Sequence, residues 1–217
     1  MRQKSDPVFT WMYFYMIGLT VLICFLNLIC YPIPELFLLF LLFISLTGMI
    51  LIWRRTLTRR LLLFNNLLLL LFPLCLSHLL LSHFITSVDA VMQVVSAIAV
   101  MDVISFTRAG RHTLNAKLVA NRSALSRLSI CLPVPKRPGL QPIIGVGDMF
   151  YYSFITTYFV GSASDMDALT AIFLLCAGQL TNIICILHMR KRAGYKGFPA
   201  TIFPGVFILI ASAFHFI

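Results

Sequence analysis

The sequence predicts an all-α polytopic membrane protein with seven transmembrane helices, its N-terminus cytoplasmic and its C-terminus outside. Apolar residues fill 60% of the 217 positions and charged residues 11%, against roughly 45–50% and 25% in a soluble domain. Mean hydropathy is +0.95. Seven apolar runs approach the roughly 20 residues that a helix needs to cross a bilayer, at 8–29, 34–53, 61–84, 87–106, 143–161, 167–188 and 198–217. All 17 Lys and Arg fall between these runs or before the first, on the side that a count of seven makes common.

The first run follows a basic head (Arg2, Lys4). It is too long for a signal-peptide core and no small-residue cleavage site follows it, so it is expected to be retained as a span. The second and third runs complete an N-terminal scaffold over 8–86. The third is leucine-rich and carries Pro73, where a kink is expected. The fourth, 87–106, contains Asp102. The one long connection, 107–142, places Leu114, Leu118, Leu125, Leu128 and Leu132 on one helical stripe, with Lys117 and Arg122 beside it and Arg127 opposite. That pattern predicts an amphipathic helix lying on anionic lipid. The remaining segment, 143–217, holds the fifth span with Asp148, the sixth, and a seventh expected to bend at Pro204-Gly205.

The basic residues divide as two before the first run, four in 54–60, seven in 107–142 and four in 189–197. The positive-inside rule makes that face cytoplasmic. The opposite loops hold Glu35, Asp89, Asp165 and Asp167 and no basic residue. The net charge of +10 is thus accounted for by topology, so the bilayer and not nucleic acid is the expected partner. The expected location is a plasma or inner membrane in a prokaryote and an endomembrane in a eukaryote. The six cysteines form no CxxC or Cys/His cluster, and His78, His83, His188 and His215 share no ligand spacing. No disulfide framework, metal or cofactor is expected. Asn65, Asn66, Gln179 and Asn182 are read as interhelical hydrogen-bonding residues.

Only Asp102 and Asp148 place a carboxylate inside an apolar run and away from its outer end. Each costs at least about 2.5–3.5 kcal/mol at membrane depth, which makes it a functional candidate. Asp102 lies four residues before the end of its run and Asp148 five after the start of the next. At 1.5 Å per residue both sit roughly 6–8 Å below the cytoplasmic boundary, on antiparallel neighbours. They can meet, and paired carboxyls can share a proton and perform acid–base chemistry.

Asp148 closes Gly145-Val146-Gly147-Asp148, and Met149-Phe150-Tyr151-Tyr152 follow it. Two runs later Pro199-Ala200-Thr201 stands at a cytoplasmic entry. Over roughly 87–217 this arrangement resembles the GxGD intramembrane aspartyl proteases, most closely the presenilin and signal-peptide-peptidase-like branch. In that family one aspartate lies on one span, the second on the next, and a Pro-Ala-Leu motif opens the last. The chain departs from the pattern in three ways: Met101 replaces a tyrosine, Thr201 replaces the final leucine, and the family has nine spans, of which these seven correspond to the last.

The resemblance implies an aspartic endopeptidase acting on transmembrane protein or peptide substrates, with Asp102 and Asp148 catalytic. Leu140, Ile143, Ile144, Gly145, Val146 and Gly147, with Pro199, Ala200 and Thr201, would hold an unwound substrate by strand addition. Presenilins work with accessory subunits and peptidase-like relatives act alone; the residues favour neither, nor a homo-oligomer. Two other functions fit paired intramembrane aspartates. A prepilin- or preflagellin-peptidase-like enzyme typically has a lysine two residues after the GxGD aspartate, where this chain has Phe150. A proton-coupled transporter or channel would use the aspartates as a relay, but no inverted repeat is evident between the two halves.

Overall fold

The computed structural model describes residues 7–107, 112–113, 117, 121–161, 165–189 and 199–214. In chain order these form α1 (Pro7–Cys30), α2 (Glu35–Trp53), α3 (Arg59–His83), α4 (Val88–Phe106), the short α5 (Arg122–Arg127), β1 (Ser129–Pro133), β2 (Leu140–Gly145), α6 (Val146–Gly161), α7 (Asp165–Met189) and α8 (Ile202–Ala213). Five of the helices, α1 to α4 and α7, are long and apolar enough to cross a bilayer, which marks a multi-pass integral membrane protein.

Local chemistry sets the helix starts. Thr58 Oγ1 accepts the Leu61 amide at 3.3 Å and Ser87 Oγ accepts the Ala90 amide at 3.2 Å, capping α3 and α4. Pro34, in extended conformation, precedes α2, and Glu35 and Asp89 place negative charge in the first turns of α2 and α4. Helix α3 continues through Pro73.

Helix α6 is the centre of the bundle, packed against α1, α3, α4 and α7. Residues Tyr151 to Thr157 are all buried, as expected of a helix enclosed on every side. Ser153, Thr156 and Thr157 face α1. Asn27 Nδ2 donates to Ser153 Oγ (3.2 Å), Thr157 Oγ1 donates to Asn27 Oδ1 (2.8 Å), and Thr156 Oγ1 lies 3.3 Å from Cys24 Sγ. Helix α2 flanks α3 through Leu38, Leu74 and Cys75. Helix α4 is the least embedded: of its residues only Val91 and Val95 are buried, and it packs on α6 and α8.

The connection before α6 departs from expectation. The leucine stripe is not one helix. Helix α5 ends at Arg127, Leu128 is its C-cap, and Leu132 lies on β1; Leu114 and Leu118 lie outside the described residues. β1 and β2 form an antiparallel hairpin that pairs Ser129 with Gly145 and Pro133 with Leu140, with an irregularity after Ile130. The prolines explain why helix fails here. Pro133, Pro135, Pro138 and Pro142 lack an amide, and Pro142 stands opposite Cys131 beside the irregularity, where a missing donor is tolerated. The turn uses left-handed backbone at Lys136 (φ 66) and Gly139 (φ 71).

The hairpin also trims the fifth expected span. Residues 143–145 are strand, and α6 starts at Val146. At 1.5 Å per residue α6 and α8 extend roughly 24 and 18 Å, from 16 and 12 residues. Part of the seventh expected run, with residues 190–198 and 215–217, lies outside the described residues.

Side chains from the spans anchor the hairpin. Asn66 grips both backbone groups of Cys131, accepting its amide through Oδ1 and donating Nδ2 to its carbonyl, each at 2.8 Å. Asn65 Nδ2 donates to the Arg127 carbonyl at 2.9 Å. Arg127 donates to the Ile52 and Arg55 carbonyls at the end of α2 (2.6 and 2.9 Å) and lies over the Trp53 ring. The Val146 amide bonds the Leu128 carbonyl at 2.8 Å. Asn65 and Asn66, expected to bridge helices, instead bind the loop backbone.

Candidate active site

Asp102 sits near the end of α4 and Asp148 in the first turn of α6. Their two helices pack together, and each carboxyl lies within electrostatic range of the other. Both aspartates, with Gly145, line two neighbouring cavities of about 600 and 260 Å³. The larger runs along α4 beside Ile98 and Ser105, about one helical turn before and after Asp102, and beside Met101, its immediate neighbour. Ala97, Thr113, Gly147 and Thr201 also line it. The smaller is bounded by Phe106, Leu125, Ser129, Ala200 and the β2 residues Pro142 to Ile144.

Asp102 is held from α8. Thr201 donates both its hydroxyl (2.8 Å) and its backbone amide (3.1 Å) to Asp102 Oδ2. Thr201 is therefore an anchor for the carboxyl, and it occupies the position where the motif departs from Pro-Ala-Leu. The neighbouring Ala200 carbonyl accepts from Asn182 Nδ2 and lies 3.5 Å from the Tyr152 hydroxyl, which donates to Gln179 Oε1 at 2.7 Å. Asn182 thus ties α7 to the segment that holds Asp102, and Gln179 ties α7 to Tyr152 of α6. Gly178 reinforces this tie, because a β-carbon there would strike the Pro204 and Phe203 backbone of α8.

Asp148 is placed by the hairpin. Gly145 ends β2 immediately before α6, and its backbone amide approaches the Asp148 carboxyl. A carboxylate in the first turn of a helix is favoured by the unpaired amides there. Neither glycine of the motif is forced by packing. A β-carbon on Gly145 would stand at ordinary contact distance, 3.5 Å, from Asp148 Oδ2, and one on Gly147 would meet nothing within 4 Å. Their lack of side chains leaves the cavity mouth open.

Of the residues expected to bind substrate, Ile143, Ile144, Gly145 and Ala200 line the smaller cavity and Gly145, Gly147 and Thr201 the larger. Leu140, Val146 and Pro199 line neither of these two. Val146 packs against the core, and Pro199 is buried. Ile98, Ser105, Phe106 and Ser129 also line these cavities and were not singled out by the sequence, and Leu125 was assigned to the amphipathic stripe. Helical spacing from Asp102 points to the first three. Among the described residues no three His, Cys, Asp or Glu side chains converge as a metal site, and all six cysteines are unpaired.

Comparison with protein-family models, curated proteins and solved structures finds no match to this chain.

Proposed function

We propose that this protein is an intramembrane aspartyl protease of the GxGD type, with seven spans, the N-terminus cytoplasmic and the C-terminus outside. One observation carries the reading. Two aspartates from separate helices line the same cavities, and the Pro199-Ala200-Thr201 segment bonds one of them. The chemistry follows from two close carboxyls that share one proton. The ionised carboxyl takes a proton from a water, whose oxygen attacks the scissile carbonyl carbon. The protonated carboxyl donates to the carbonyl oxygen. Collapse of the tetrahedral species breaks the C–N bond, the nitrogen takes up a proton, and a carboxylic acid and an amine leave. Which carboxyl starts with the proton is a property of the pair.

A transmembrane helix must unwind before its carbonyls are open to attack. Among the described residues β2 pairs with no strand but β1, and an extended peptide would add along its other edge. The larger cavity, faced by α4, accommodates apolar side chains of the same peptide.

The test is hydrolysis of a fluorogenic transmembrane peptide by purified protein in lipid nanodiscs, with Asp102→Asn and Asp148→Asn assayed separately. Each variant is expected to lose at least about 100-fold in rate, the low end for acid–base groups. Full hydrolysis by either would refute the dyad. Cleavage confined to a pilin leader would move the assignment to the prepilin-peptidase class, and aspartate-dependent ion flux without hydrolysis would move it to transport.

A further inference from the structure

The buried Tyr151 hydroxyl has no hydrogen-bond partner among the described residues. Leaving such a group unsatisfied is costly, and a native fold retains few of them without a reason. Tyr151 lies one turn deeper than Asp148 on α6, at the i+3 position and so on the same face. Its neighbour Tyr152 spends its hydroxyl on Gln179; Tyr151 does not follow it. The hydroxyl is directed instead at Gly205 of α8, where a β-carbon would collide with it, and that same β-carbon would stand 3.4 Å from Ala99 Cβ of α4. Two of the smallest residues therefore frame it, and each lies about one helical turn from the residues that matter. Ala99 precedes Asp102 by three positions, and the Gly205 amide bonds the Thr201 carbonyl. Side chains on a helix lean toward its N-terminus, so the Asp102 carboxyl projects over the turn that contains Ala99. The hydroxyl lies within electrostatic range of Asp102.

We propose that Tyr151 is a positioning residue of the dyad, whose hydroxyl donates to the Asp102 carboxyl, directly or through one water, when substrate draws α4 inward. This rests on the protease reading of the site. Helix α4 is the least embedded span, which leaves it free to make that short movement. Hydrogen bonds that serve catalysis are often open in the free enzyme and close in the complex. Thr201 already donates twice to Asp102 Oδ2, and a carboxylate has further acceptor sites for a third donor. The titratable groups within electrostatic range of Tyr151 are Asp102 on α4 and Tyr152 on α6.

Tyr151→Phe tests this in the full-length protein. Cleavage of the fluorogenic peptide is expected to fall about tenfold in kcat, the worth of one hydrogen bond to a charged group. KM should stay within about twofold of wild type, and the limbs of the kcat–pH profile should shift. Thermal stability should hold or rise, since only an unpartnered hydroxyl is removed. Infrared spectra of protein with 13C-labelled aspartate, assigned by Asp102→Asn, supply a readout independent of turnover. They are taken with and without a transmembrane peptide whose scissile amide is reduced. A Tyr151→Phe shift of the Asp102 carboxyl band in either state supports the contact. An unmoved band in both, or unchanged kcat and pH limbs, overturns the proposal. A band shift on Tyr151→Phe, with no hydrolysis by the wild-type protein, would keep the contact and overturn the protease reading.

Discussion

Thr201→Val isolates the contact that holds Asp102. Valine keeps the β-branched shape in a buried position and removes only the hydroxyl, whose oxygen lies 2.8 Å from Asp102 Oδ2. The backbone amide at 3.1 Å survives the change. A hydrogen bond to a charged group contributes about 1.5–3 kcal/mol, which as a barrier change corresponds to roughly 10- to 150-fold in rate. Because the amide remains to orient the carboxyl, the low end applies, and kcat should fall about tenfold. Thr201→Ser retains the donor and should stay within about threefold of wild type. Both variants are assayed for kcat and KM on the transmembrane peptide in nanodiscs, with melting curves run in parallel. The reasoning fails if Val and Ser behave alike, whether both are active or both are impaired. It also fails if the Val variant loses only stability, because the hydroxyl would then be a packing feature with no bearing on Asp102.

Three further outcomes follow from the surrounding structure. Asn66→Ala leaves the buried Cys131 amide and carbonyl without their partners. At about 1–3 kcal/mol for each of the two orphaned groups, denaturation should show a loss of roughly 2–6 kcal/mol, and a loss below about 1 kcal/mol would contradict the bidentate grip. Gly178→Ala drives a methyl into the Pro204 and Phe203 backbone and should lower the melting temperature, whereas Gly147→Ala meets open space and should leave it unchanged. Equal melting shifts would show that α7 and α8 are not in such close contact. Burial pushes the Cys131 thiol from 9.0 up to about 11, opposed by its hydrogen bond to Ser126. Its folded-state value is the higher one, so its contribution to stability is complete below pH 9 and is lost as pH rises from 9 to 11. Alkylation of Cys131 at neutral pH should therefore require unfolding, and rapid labelling of the native protein, read by mass spectrometry, would contradict this.

The legible parts of the chain were those set by strong, local energetic terms. Asp102 and Asp148 stood out because a carboxylate in an apolar run is costly, and the partition of 17 basic residues led to the expectation of one depth for both. β1 was not legible, because Leu125, Leu128 and Leu132 satisfy helical spacing as well as any true helix does. Three leucines cannot discriminate between a stripe that turns with the backbone and one that straddles a helix end and a strand. What decides between them is distant in sequence: Asn66 of α3 supplies both backbone partners of Cys131, and no local pattern reveals that pairing. Thr201 shows the same limit. The motif assigned it to substrate, and only the packing of α8 on α4 shows its hydroxyl at Asp102.

The two carboxyls are positioned from opposite sides of the molecule. Asp148 inherits its place from the hairpin, which is fastened by Asn65, Asn66 and Arg127 to α2 and α3. Asp102 is steadied by Thr201, and the segment before α8 is fastened to α7 through Asn182, with Tyr152 and Gln179 beside it. Helix α4 buries little of itself, so its own packing supplies few restraints on where its carboxyl stands. The separation of the pair therefore depends on α7 and α8 as much as on the helix that carries Asp102. Polar residues of α7 that look like interhelical glue, Asn182 foremost, belong to the system that sets this separation. On the proposed protease reading, a substrate that wedges between β2 and the Ala200 segment would act on both sets of restraints at once.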